Sequence, residues 1–127
     1  MFAICNLSLV PVRKEFSDKS EMVTQLLFGD LIEILDKHKN WYKIRIIADE
    51  YQGWIDQKQV SVITDEEKEE YHSNSSFLSN DILQIAILNN SEMCTIVMGS
   101  TLPFYSNKSL SFGGNKYSFE GNTVLAS

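Results

Sequence analysis

The chain has 127 residues, 43% of them hydrophobic and 22% charged, the composition of an ordinary globular protein of one compact domain or two very small ones. Eleven basic residues stand against seventeen acidic ones, a net charge of −6, which argues against binding the phosphate backbone of a nucleic acid. No apolar run reaches membrane-spanning length, and Met1 leads into a strand-like run rather than a signal peptide, so the expected compartment is the cytoplasm.

In chain order, Phe2 to Val10 is apolar and β-prone, and Pro11 indicates a strand end. Ser17-Asp18-Lys19-Ser20 is turn chemistry. Met22 to Phe28 is a second apolar run closed by the turn signal Gly29-Asp30. Leu31 to Leu35 forms a strand, and Asp36 to Asn40 a polar hairpin loop. From Trp41 to Ala48 the pattern alternates, with Tyr42, Ile44 and Ile46 on one face and Lys43 and Arg45 on the other, as in a half-buried strand. Asp49 to Gly53 is a turn, and Trp54-Ile55 a short strand. Five short strands so spaced predict a small barrel or sandwich.

Thr64 and Glu67 form a capping box, and acids crowd the first turn, so a short helix is expected over about residues 65–72. Asp65, Glu66, Glu67, Glu69 and Glu70 against Lys68 localise much of the net charge there. Ser73 to Ser76 then reads as a loop. The remainder is β-like. Ile82 to Leu88 and Met93 to Met98 are split by the hairpin signal Asn89-Asn90-Ser91, and Tyr117-Ser118-Phe119 alternates. No obvious closing strand follows Gly121.

Val12-Arg13, Leu27-Phe28-Gly29-Asp30, Ile32 to Leu35, Asn40-Trp41-Tyr42-Lys43-Ile44-Arg45 and Gly53-Trp54-Ile55, in this order, resemble bacterial SH3 domains, the SH3b group. Within that set, Glu21 to Asp30 together with Tyr51 to Ile55 is similar to the amino-terminal SH3b domain of NlpC-type cysteine peptidases. These are the γ-D-glutamyl-L-diamino-acid endopeptidases, or dipeptidyl-peptidase VI, that cut peptidoglycan stem peptides. Met1 to Leu7 and Val97 to Tyr105 extend the resemblance to the start of leaderless members and to a second SH3b unit.

The resemblance implies a mainly β fold: two small SH3-like barrels at residues 1–63 and 81–127, joined by a short acidic helix and linker at 64–80. The second barrel is open to being incomplete. It also implies a catalytic domain in cis after these units, with an Asp-Cys-Ser/Thr-Gly segment expected beyond Ser127 and a downstream His as base. Cys5-Asn6-Leu7 and Cys94-Thr95-Ile96 do not match that segment, and neither cysteine sits at a readable helix start. A Cys94–His72 dyad is disfavoured, so no enzyme activity is expected of this chain, nor a metal or other cofactor.

By the same resemblance, Glu21 and Tyr51 bind the free amine of a stem peptide's first residue. The alternative is that Glu21 is a surface charge at a strand start and Tyr51 a hairpin residue. Binding by this chain alone is expected to be weak. Trp41, Tyr42 and Trp54 fit either a barrel core or an exposed aromatic platform, and the core is the favoured assignment for the tryptophans. The expected role is a substrate-gating module in turnover or recycling of cell-wall peptides. A stand-alone SH3-like module that binds a protein or peptide is the alternative, and a self-contained hydrolase the weakest third.

Overall fold

A computed structural model describes residues 1–73, 77–80, 83–89 and 91–125. Parts of the expected loop at Asn74 to Ser76, of the run starting at Ile82 and of the turn at Asn90 lie outside the described residues. The fold is mainly β, with antiparallel pairing and one α-helix.

The first seven strands are β1 (Phe2–Cys5), β2 (Leu9–Arg13), β3 (Met22–Leu27), β4 (Leu31–His38), β5 (Trp41–Ile46), β6 (Gln52–Asp56) and β7 (Val60–Ile63). They form one sheet in the order β3-β2-β6-β5-β4-β1-β7. Among the described residues no ladder joins β3 to β7, so the sheet stays open and is not the closed barrel expected. The apolar run expected from Phe2 to Val10 breaks at Asn6–Ser8 into two strands. β4 continues through Asp36 to His38, so the hairpin turn shrinks to Lys39 and Asn40, with Lys39 at φ +54°.

Alternation behaves as the pattern requires. Val10 and Val12 on β2, Ile44 and Ile46 on β5 and Ile55 on β6 are buried, and the strand residues between and beside them, such as Pro11, Lys43, Arg45, Trp54 and Asp56, are less buried. Gly53 is needed where β6 approaches β2: a Cβ there would lie 2.5 Å from Val12 Cγ1 and 2.7 Å from the Arg13 carbonyl oxygen.

Helix α1 (Asp65–Ser73) begins with the capping box. The Glu67 amide donates to Thr64 Oγ1 at 3.1 Å, and the Thr64 amide donates to Glu67 Oε1 at 3.2 Å. The helix is more than a linker. Tyr71 donates to the Gly29 carbonyl at 2.9 Å, and Glu67 Oε2 accepts from the Gly113 amide at 3.1 Å, so it clips both halves of the chain.

The second half holds β8 (Phe77–Ser79), β9 (Leu83–Leu88), β10 (Glu92–Val97), β11 (Thr101–Leu102), β12 (Ser109–Phe112), β13 (Asn115–Phe119) and β14 (Thr123–Leu125). They make a four-stranded sheet, β10-β9-β13-β12, and a three-stranded one, β11-β8-β14. Contrary to expectation a strand does follow Gly121: β14 pairs with β8, Val124 opposite Leu78.

Two cores result. One lies within the first sheet, around Val12, Leu26, Ile32, Ile44 and Ile55. The other is shared: Ile4, Phe28, Leu31 and Ile63 pack with Ala86, Ile96, Leu110, Phe112, Tyr117 and Phe119. The Phe28 ring meets Tyr117 edge-on at 5.1 Å and Phe112 at 5.8 Å. Gly29 follows at φ +87°, and a Cβ there would collide with the Thr101 carbonyl.

Candidate functional site

Register places Glu21 and Tyr51 at the same end of the first sheet. Glu21 immediately precedes β3, and its carbonyl accepts from the Lys14 amide at 2.8 Å, next to the end of β2. β2 in turn pairs with β6 at Arg13 and Trp54. Because these strands are antiparallel, the chain leaving β2 at Arg13 runs on toward the start of β6, where Tyr51 leads in.

The two segments are held locally. In the β2–β3 loop, Arg13 Nη1 donates to the Ser20 carbonyl at 3.2 Å and the Glu15 amide donates to Ser20 Oγ at 2.9 Å. In the β5–β6 turn, the Ile46 amide donates to the Tyr51 carbonyl at 2.9 Å, and the Tyr51 amide donates to Asp49 Oδ1 at 3.2 Å. Arg45 braces that turn through Glu33 at 2.7 Å and Glu50 at 3.5 Å. The Tyr51 side chain is 59% exposed. Among the described residues, neither its hydroxyl nor the Glu21 carboxylate is engaged by another side chain.

The tryptophans are not in the core. Trp41 and Trp54 are half-buried and belong to neither buried cluster. Strand parity is the cause: Trp54 lies between inward-facing Gly53 and Ile55, and Trp41 shares the parity of Lys43 and Arg45. Both therefore point to the outer face. Phe16, from the β2–β3 loop, packs edge-on to Trp54 at 5.1 Å and against His38 at 4.2 Å. His38 lies directly across from Trp41. Tyr42 does turn inward, against the first core. Phe16 and His38 carried no mark in the sequence, because a loop residue and a hairpin residue meet there only through the fold.

Neither thiol is activated. Burial pushes the Cys5 thiol up to about 12, and burial also raises the Cys94 thiol. Cys5 Sγ donates to the Leu7 carbonyl at 3.3 Å, and Cys94 lines a hollow with Asn6, Leu7 and Glu92. His72 lines a different cavity, of about 170 Å³, with Asp30, Tyr71 and Thr101. There burial raises the Asp30 carboxyl and pushes the Tyr71 phenol up to about 12. Among the described residues no helix is long and apolar enough to cross a membrane.

The first sheet is antiparallel throughout, with a long β2–β3 loop and successive hairpins after it. Residues 12–60 match the family model of the bacterial dipeptidyl-peptidase SH3 domain. Among solved structures, an NlpC/P60 family protein from Bacillus cereus is similar at a TM-score of 0.75 and 15% sequence identity, over 99% of this chain and 56% of that one. At that identity the likeness speaks for the fold. The chain spans little more than half the length of that protein. Comparison with curated proteins found no match.

Proposed function

We propose that this chain is a non-catalytic, substrate-gating part of a cysteine peptidase acting on peptidoglycan stem peptides, built as two SH3-like units at residues 1–63 and 81–127. In this reading Glu21 accepts the ammonium of the peptide's first residue, Tyr51 adds a phenolic contact, and bond cleavage belongs to an NlpC-type catalytic domain in cis. The observation that carries it is the common location of a free carboxylate and a free, exposed phenol on two loops each tied down by its own hydrogen bonds. Pre-ordered loops spend little entropy on binding.

The magnitude is small. A charge-assisted hydrogen bond contributes roughly 1.5–3 kcal/mol, and about 4 kcal/mol corresponds to millimolar affinity. The isolated chain should therefore bind such a peptide only in the millimolar range. The test is an NMR titration with L-Ala-γ-D-Glu-diamino acid peptide and its N-acetylated form. Shifts at Glu21 and Tyr51 are expected with the free amine, and none after acetylation or in Glu21→Gln. Micromolar binding by the chain alone, equal shifts from the acetylated peptide, or no shift at these residues would sink the proposal.

A further inference from the structure

The outer face of β4, β5 and β6 carries chemistry that the amine-binding proposal does not use. Its rings are Trp41, Trp54, His38 and Phe16, the last held over Trp54 by a loop whose turns are closed by Ser17 and Ser20. Register adds charges between the rings. Trp54 has Arg13 opposite it on one side and Lys43 on the other, Asp36 is opposite Lys43, and Asp56 is opposite Trp41. Residues directly opposed in a ladder share a face, so these four surround the rings.

The charges sum to zero, and among the described residues none of the four is in an ion pair. Arg13 holds the Ser20 carbonyl, while one oxygen of Asp36 accepts from the Lys37 amide and one of Asp56 from the Lys58 amide. Each therefore has donors or acceptors left over. An apolar protein surface laid here would bury four unpaired charges at a prohibitive desolvation cost. A nucleic acid is opposed by the net charge of −6. What matches is a neutral ligand with flat apolar faces and a rim of hydroxyls that both donate and accept.

We propose that this face is a carbohydrate-binding platform for a neutral, β-linked pyranose oligosaccharide. Its sugar rings stack on Phe16, Trp54 and Trp41, and its hydroxyls pair with Lys43, Asp36 and Asp56. From β4 to β2 the face crosses three strand spacings, about 14 Å, the span of a short oligosaccharide. Its contact residues do not include Glu21 or Tyr51, although Phe16 shares the β2–β3 loop with Glu21.

The two tryptophans of the chain both lie on this face, so selectively excited tryptophan emission reports on it. The experiment titrates the whole chain with cellohexaose and with chitohexaose. A proline-rich peptide and a hexaglutamate peptide serve as competing classes. A saturable change in tryptophan emission with either hexasaccharide is expected. Loss of one stacked ring should weaken binding about threefold to tenfold in Phe16→Ala or Trp54→Ala. Phe16 is exposed in a loop, so Phe16→Ala, checked by circular dichroism, tests the site even where Trp54→Ala unfolds. Glu21→Gln should leave glycan affinity unchanged, which separates this site from the amine pocket. No response at millimolar hexasaccharide, full affinity in Phe16→Ala, or tighter binding of either peptide overturns the proposal.

Discussion

Gly29 shows how much one residue's backbone can decide. Its φ of +87° is a conformation that side-chain-bearing residues rarely adopt, and its missing Cβ makes room for the Thr101 carbonyl. Its own carbonyl accepts the Tyr71 hydroxyl, and its amide donates to the Cys5 carbonyl at 2.9 Å. Turn, helix and second half all converge on a position where only hydrogen fits. Gly29→Ala should therefore cost more than the roughly 1 kcal/mol of an unfavourable φ alone, on the order of 2–4 kcal/mol once the collision is added. Urea denaturation measures it. A loss under 1 kcal/mol would mean that the Thr101 segment yields freely. Gly99, also at positive φ but with open space around it, is the control: Gly99→Ala should pay only the conformational part.

At the scale of elements, α1 is a clip rather than a spacer. It buries no residue fully and its polar face is strongly acidic, so its hold on the fold comes from a few specific contacts. Glu67 makes two of them at once, closing the capping box with one oxygen and receiving the Gly113 amide with the other. Thr64→Ala removes only the cap and should cost about 1 kcal/mol. Glu67→Ala removes the cap partner and the bridge to β12–β13, and should cost about 2 kcal/mol. Hydrogen exchange distinguishes the two: the Gly113 amide should lose protection in Glu67→Ala and keep most of it in Thr64→Ala. Equal losses at Gly113 would show that the helix is held by its cap alone.

For the whole molecule the decisive feature is the shared core. Phe28, in the turn between β3 and β4, is enclosed by Phe112 and Tyr117 from the second half, with Ile4, Leu31 and Ile63 around it. Small units of this size are marginal by themselves, and a common apolar cluster couples them. The chain should unfold in a single calorimetric transition, with equal van 't Hoff and calorimetric enthalpies. Phe28→Ala should cost about 3–5 kcal/mol and lower exchange protection in β9 and β13 as well as in β1 and β4. Two separate transitions, or loss of protection confined to the first sheet, would show that the halves are energetically independent.

The alternation at Ile44 and Ile46, the capping box at Thr64 and the turn at Gly29-Asp30 were all legible in the residue order, because period, cap and turn chemistry act over a few neighbouring residues. Extended by one step, the same alternation puts Trp41 on the face of Lys43 and Arg45, and the preference of tryptophan for small cores is the weaker guide. What lay beyond the sequence were contacts between distant segments: Phe16 over Trp54, Phe28 between Phe112 and Tyr117, and Gly113 against Ser61 and Glu67. Residue order alone determined the helix, the hairpin strands of the first half and the apolar side of β5, but not the break at Asn6–Ser8 or the closing strand β14. Only the tertiary structure decided which apolar sides share a core and which aromatic rings stay outside, since those depend on strand pairing and packing across the whole chain.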